Sequence, residues 1–395
     1  MNGLFNHQIR IWTINVKIAI YHPWVYLKSG LERTILEICK QTKHEVTVFT
    51  SHFDKQGTYP ELANYRIVEI NPVSVERSYG AVLSAGKTIA ATRLPLDDFD
   101  VLVICCDGLG SFLQFRNRDI PTINLCFTPL RAVYDLEYRK RHLQKHSQKQ
   151  WIAHLMEWGY KLVDKWCWKQ YSKIICISKA VEERVLAARL CKPEDIVIYY
   201  PGIDENHIQV CPQREPYFFL PGRIMWTKNI ELGIEAFKHF CNEHGNNYRL
   251  VIAGMVDKKS EPYYAGLKAL AEGYNNIEFV IGPSDQEMQT LYSNCYATLF
   301  TAFNEDLGLT PMEAMSRGKP VVAVNKGGPK EVVANGETGY LVDGIAIEFA
   351  KGIAKLAADP AHAEALGVAG AERVKRFTWQ QFVKDFDAQM CEFKR

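Results

Sequence analysis

Two series of short, almost continuously apolar runs, each run set off from the next by an amphipathic stretch, leave this chain few folds to choose from. In the first half the runs are VKIAIY (16–21), HEVTVFT (44–50), RIVEI (66–70), DVLVICC (100–106), PTINLCF (121–127) and KIICIS (173–178). In the second half they are YFFLPG (217–222), YRLVIAG (248–254), IEFVIG (277–282), ATLFTA (297–302), PVVAV (320–324) and GYLV (339–342). A strand apolar on both faces must be covered on both faces, and helices between strands supply that cover, so the pattern predicts parallel sheets. Two series predict an α/β chain of two doubly wound domains. The length of 395 residues agrees, being too great for one comfortable hydrophobic core. The seam is expected near YYPGIDENHIQVCPQREPY (199–217), rich in proline and turn residues. This places an N-terminal domain at 1–205 and a second at 206–376. Ligands of such sheets bind outside the carboxyl ends of the strands, so two facing edges would form a central cleft.

Charge and cysteine usage narrow the function. A net charge of +2 gives no support for bulk nucleic-acid binding. The 11 cysteines lie mostly inside apolar runs, are odd in number, and show no CxxC or Cys/His ligand spacing. They read as reduced core cysteines of a cytoplasmic protein. The apolar stretch at the N-terminus is interrupted by Arg10, Asn15 and Lys17, which argues against a membrane span and a signal peptide. VKIAIY reads as the first buried strand and the residues before it as an extension.

The stretch NEDLGLTPMEAMSRGKPVVA (304–323) sets two glutamates, Glu305 and Glu313, on either side of a glycine and a proline. Glu305 follows the carboxyl end of a predicted strand. Thr310-Pro311-Met312-Glu313 reads as a helix start, with Thr310 as N-cap, Pro311 at the first position and Glu313 closing a capping box. Glu305 and Gly308 admit a second reading. A glycine-containing loop entering a helix at a sheet's carboxyl edge favours an anion, and carboxylates beside it would accept hydrogen bonds from sugar or ribose hydroxyls. The residues alone leave both readings open.

EDLGLTPMEAMSRGKPVVAVNKGGPKEVV resembles the E-x7-E block of the retaining glycosyltransferases of family 4, whose GT-B fold pairs two Rossmann-like domains about the active site. The resemblance implies that Glu313 holds the ribose hydroxyls of a nucleotide-sugar donor and that Glu305 contacts the donor sugar. The amides of Leu307, Gly308 and Leu309 would approach the diphosphate. GRIMWTKNIELGIEAF (222–237) resembles the family's G-R-x(4)-K-N signature, which makes Arg223 and Lys228 neutralise the leaving diphosphate. SGLERTILEIC (29–39) resembles the first glycine loop and helix, with Gly30 in the turn and Ser29 in place of a glycine. FVIGPSDQEMQTLYSNC (279–295) resembles the segment that meets the base through backbone near Gly282 and Pro283. IVIYYPGID (196–204) resembles the link into the second domain, and FTWQQFVKDF (377–386) the terminal helix, here 377–395, that crosses back to the first. Gly327 and Gly328 read as turn formers first.

One segment departs from the family. NLCFTPLRAVYDLEYR (124–139) resembles a branch that reads C-H-T-P-[ML]-R, and Phe127 stands where that branch has histidine. Thr128 and Arg131 are the nearby polar candidates. The implied protein is a metal-independent, retaining hexosyltransferase with no cofactor. GDP-mannose is the first donor expected, with a UDP-sugar as the alternative and a saccharide or polyprenyl-linked acceptor. Because of Phe127, a non-catalytic nucleotide-sugar-binding protein is the rival. A dehydrogenase is disfavoured, since YHPWVYLKSGLER lacks G-x-G-x-x-G. DDFD (97–100) precedes a buried strand and reads as a solvated strand entrance rather than a metal site. Residues 131–173 hold ten Lys/Arg against four Asp/Glu, and four tryptophans. Trp151, Leu155, Trp158, Leu162 and Trp166 follow helical spacing on one face. That face reads as core, or as a peripheral contact with the inner face of a membrane.

Overall fold

The computed structural model describes residues 15–76, 78–106, 108–136, 138–139 and 150–395. The expected N-terminal extension lies outside these residues save for its last, and so do Glu137 and residues 140–149 of the basic stretch.

Every expected run forms a strand; most are buried on both faces, while those at 67–69 and 277–281 lie at the sheet edges, half-buried to exposed. In order they are β1 (Lys17–His22), β2 (Glu45–Thr50), β3 (Ile67–Glu69), β4 (Val101–Cys106), β5 (Thr122–Cys126) and β6 (Lys173–Cys176). A strand that the pattern did not announce follows, β7 (Ile196–Ile198). Its three half-buried residues are too few to stand out from YYPG. Then come β8 (Tyr217–Pro221), β9 (Arg249–Gly254), β10 (Ile277–Ile281), β11 (Ala297–Phe300), β12 (Val321–Val324) and β13 (Gly339–Val342).

The strands form a seven-stranded sheet, β3-β2-β1-β4-β5-β6-β7, and a six-stranded sheet, β10-β9-β8-β11-β12-β13. The ladders are parallel, with Ile18 opposite both Val46 and Val101, and Phe219 opposite both Val251 and Thr298. In each sheet the first strand lies between the second and the fourth. The winding direction therefore reverses at β1/β4 and at β8/β11, and those are the points where such sheets open a crevice at their carboxyl ends.

The chain divides into two compact units. One draws on residues 15–125, 150–174 and 383–395, the other on 126–136, 138–139 and 175–382. In the first, Asp100 at the entrance of β4 is committed. Its carboxylate accepts the Lys17 amide at 2.7 Å, the Lys394 ammonium at 2.9 Å and the Arg395 amide at 3.1 Å. Burial raises the cost of that charge, but these donors outweigh it and hold the carboxyl below the usual range. Asp387 of the helix Trp379–Cys391 accepts the Thr42 hydroxyl at 2.5 Å and the Lys43 amide at 3.2 Å. In the second unit, Phe218, Phe237, Phe240, Leu250, Leu299, Phe349 and Ile353 fill one face of the sheet. Phe218 packs edge-on against Phe240 at 5.7 Å. Each such ring removed from water stabilises the fold by about 2–3 kcal/mol. The chain between Gln209 and Arg214 lies against the turn at 316–319, where the buried Lys319 ammonium donates to the Cys211 carbonyl at 2.9 Å.

Candidate functional site

All parts of the site described next belong to the second unit. Strands β8 and β11 flank its winding reversal, and the loops from their carboxyl ends meet. Lys228 ends a short 3-10 turn, Trp226–Lys228, in the loop after β8. Glu305 lies in the loop after β11. The Lys228 ammonium donates to Glu305 Oε2 at 2.6 Å. The loops are also tied by backbone. The Thr301 hydroxyl donates to the Lys228 carbonyl at 2.8 Å, and the Phe303 amide to the Thr227 carbonyl at 2.8 Å. Burial alone would raise the pKa of Glu305. Lys228, with Arg131 and Arg184 behind it, outweighs burial and holds the carboxyl below its ordinary range.

The helix Leu309–Ser316 begins at Leu309, with Gly308 as N-cap at φ +112° and no side-chain cap. This corrects the capping-box reading. Pro311 takes the third helical position, where its missing N–H would have had no partner. Glu313 lies beyond the first three positions, is exposed, and accepts the Tyr292 hydroxyl at 2.6 Å. Burial, reinforced by that carboxylate, holds the Tyr292 phenol well above the usual range. Among the described residues no acceptor reaches the amides of Leu307, Gly308 and Leu309. The loop thus offers three donors and the positive end of a helix dipole, an arrangement suited to a phosphate group.

Gly327 and Gly328, after β12, let a third loop lie directly on this one. A Cβ on Gly327 would stand 2.4 Å from the Glu305 carbonyl oxygen, and one on Gly328 2.2 Å from the Leu307 Cα. The Gly328 amide donates to the Glu305 carbonyl at 2.9 Å. Close backbone approach, beyond turn formation, is what both positions require.

Two arginines brace the loop, and one of them has no motif to announce it. Asn304 sits at φ +49°, a conformation that asparagine tolerates better than most side chains. Its carbonyl accepts Nη2 of Arg131 at 3.1 Å and Nη2 of Arg184 at 2.7 Å. Arg131 also reaches the Phe303 carbonyl at 3.2 Å and Asp135 at 3.1 Å. Arg184 further donates to the Glu305 carbonyl at 3.2 Å, the Thr128 hydroxyl at 3.2 Å and the Asp306 carboxylate. The Ser178 hydroxyl donates to the Asp306 carbonyl at 2.5 Å. Glu331, four residues past Gly327, accepts the Lys179 and Ala180 amides and the Tyr200 hydroxyl, each at 2.8 Å.

Of the residues expected in the site, the structure brings Lys228, Glu305, Leu307, Gly308 and Leu309 together, with Glu313 in the helix that follows. Arg223 lies at the carboxyl end of β8 but is exposed, with no ion pair among the described residues. Gly282, at φ +66°, and Pro283 follow β10 on the sheet's edge, and the Gly282 amide donates to the Gly254 carbonyl at 3.0 Å. Gly30 belongs to the first unit, where it opens the helix Gly30–Gln41. Ser29 caps that helix by accepting the Leu31 amide at 3.2 Å, which gives the departure from the glycine pattern a physical use. Phe127 is buried just beyond the carboxyl end of β5. Sequence reasoning missed Arg184, Asp306 and Tyr292. Asn304 carried a readable signal, as an asparagine in a tight loop.

Comparisons with known proteins bear on the family and the fold. A profile described as Glycosyltransferase Family 4 matches residues 28–207, and one described as Glycosyl transferases group 1 matches residues 204–373. The alpha-1,3/1,6-mannosyltransferase ALG2 of Dictyostelium discoideum is 33% identical over 201 residues, 47% of this chain and 48% of that protein, so the match spans about half of that relative's length. The protein of the same name from Mus musculus is 28% identical, with 94% of each chain aligned. Anabaena HepE, solved in complex with UDP and glucose, superposes with a TM-score of 0.71 at 18% identity, covering 96% of this chain and 99% of that one. That likeness is one of fold, the two-sheet GT-B architecture. The two profiles run on from one another across both sheets and take in the glutamate pair, and on that ground the chain belongs to glycosyltransferase family 4.

Proposed function

We propose that the protein transfers a hexose, mannose before others, from a nucleotide diphosphate sugar to a saccharide or lipid-linked acceptor, with retention of configuration. The observation that carries this reading is the ion pair of Lys228 and Glu305 beside the unpartnered amides of Leu307, Gly308 and Leu309. The anomeric carbon–oxygen bond to the diphosphate breaks as the bond to the acceptor oxygen forms on the same face. The acceptor's proton passes to the leaving phosphate oxygen. Lys228, joined by Arg223, meets the charge that grows on the diphosphate, and the loop amides share it, so the chain's own donors stabilise the leaving group without a divalent ion. Glu305 accepts a hydroxyl of the sugar. Glu313 accepts the ribose hydroxyls, and Gly282 and Pro283 meet the base.

The mannosyltransferase relatives support GDP-mannose, and HepE, solved with UDP and glucose, keeps a UDP-sugar as the second reading. The free cysteines support a cytoplasmic site of action, at the inner face of a membrane where the acceptor is lipid-linked. Single-turnover transfer from GDP-mannose, GDP-fucose, UDP-glucose and UDP-N-acetylglucosamine tests the proposal. Transfer from GDP-mannose that persists in EDTA is expected. Tight nucleotide binding with no transfer from any donor, by the wild type or by Phe127→His, would leave the protein a nucleotide-sugar binder.

The ribose role has its own test. Glu313→Gln keeps the shape and the Tyr292 contact but loses a charged acceptor, so GDP binding is expected to weaken about tenfold or more. The melting temperature should stay within a few degrees of wild type. Unchanged affinity by calorimetry would return Glu313 to holding Tyr292 alone.

A further inference from the structure

The helix Gln150–Trp168 carries a face that the transfer reaction does not use. Leu155, Trp158 and Leu162 are 59%, 63% and 54% exposed. Their spacing places them on one side of the helix over two turns. The core reading of this stripe is thereby corrected: at these positions it meets water. Trp166, the next residue of the stripe, stacks on Phe115 with centroids 4.7 Å apart, and the Arg118 guanidinium lies 5.3 Å from the Trp166 ring. Phe115 is itself 37% exposed, so aromatic surface continues beyond the helix.

The exposed charges around this face are mostly basic, the exposed Asp119 being paired with Arg93 at 3.5 Å. Lys165, Lys169, Arg116 and Arg118 are exposed, and none has an ion pair among the described residues. The helix has two carboxylates. Glu157 is 12% exposed and held by Lys161 at 2.5 Å, and Asp164 is buried. Neither offsets the outer cations.

We infer that this face docks on the surface of an anionic lipid bilayer. Tryptophan and leucine belong at the boundary of headgroup and acyl chain, and lysine and arginine reach lipid phosphates from the same depth. A second copy of the chain fits poorly, because pairing this face with itself would set its cations against one another. The contact is peripheral, since no described helix is long and apolar enough to cross a membrane. It stands on exposure and charge, independently of the transfer reaction.

The test is flotation of the full chain with vesicles, without donor or acceptor. Vesicles of phosphatidylcholine and phosphatidylglycerol in equal parts should carry the protein up the gradient, and pure phosphatidylcholine should carry little. The double variant Leu155→Ser/Leu162→Ser, changed at exposed positions, should melt as wild type does and bind at least about tenfold more weakly. Lys165→Gln should weaken binding about fivefold. Added salt should weaken the wild type further. Equal binding by the double variant would overturn the proposal, and so would a chain that dimerises through this face and stays off anionic vesicles.

Discussion

Lys228→Ala is expected to lower kcat by about 10²–10³, the usual loss when one preorganised donor is removed from developing charge. Affinity for the nucleotide diphosphate should fall much less, because the amides of Leu307, Gly308 and Leu309 remain. The variant also strips Glu305 of its nearest cation. Burial then pushes that carboxyl upward, with Arg131 and Arg184 alone to oppose it. A depressed carboxyl contributes stability above its unfolded value and loses it as pH falls through the folded value. The acidic limb of the kcat/KM profile should therefore move to higher pH in the variant. The double variant Lys228→Ala/Glu305→Gln separates two roles for the lysine. A double variant no worse than Glu305→Gln means that Lys228 works only by holding Glu305, and a further loss means that it meets the phosphates directly. A kcat within threefold of wild type would remove Lys228 from the chemistry.

Arg184→Ala should have the second large effect. The guanidinium serves two loop carbonyls, a carboxylate and a hydroxyl, and its side chain is 15% exposed. Removing it leaves the Asp306 carboxylate without its cation and takes one of two donors from each loop carbonyl, since Asn304 keeps Arg131 and Glu305 keeps the Gly328 amide. The cost of about 1–3 kcal/mol should show as a melting point lower by several degrees. As a positioning residue it should also affect turnover. With the Asn304 and Glu305 carbonyls each reduced to one donor, Glu305 is held less firmly in place, and kcat should fall about 10–10²-fold. Arg184→Lys distinguishes the roles. It restores one charged donor but not the planar fork, so stability should recover more than kcat does. Parallel recovery of the two would make Arg184 a structural residue only.

The strands were legible because burial on both faces leaves an unbroken apolar run, as in Phe218-Phe219-Leu220 of β8. β7 was not, since its three half-buried residues run straight into YYPG, whose turn residues mark the seam. Lys228 and Glu305 were legible as a pair because doubly wound sheets gather their loops at the winding reversal, however far apart the residues lie in sequence. Arg184 was not legible, because several of its acceptors are backbone carbonyls, which every residue has. The helix start was misread by two positions. Thr310-Pro311 looks like a cap, yet the left-handed Gly308 turns the chain into the helix earlier than any side-chain signal marks. The exposed stripe was read from correct periodicity, but periodicity identifies a face and not what that face meets.

The left-handed carbonyl of Asn304 draws in Arg131 and Arg184, and the backbone just after it rests on Gly327 and Gly328. Segments from three other parts of the chain thus close over the five residues Phe303 to Leu307. Loops at binding sites are commonly the first parts of a protein to open, exchanging their amide protons while the core stays shut. Here the loop cannot swing out unless the arginine segments and the glycine turn let go together. Its opening is coupled to that of the surrounding core, which places it among the slowly exchanging parts of the molecule. Any adjustment to a substrate then falls to side chains, and above all to Lys228 and Glu313.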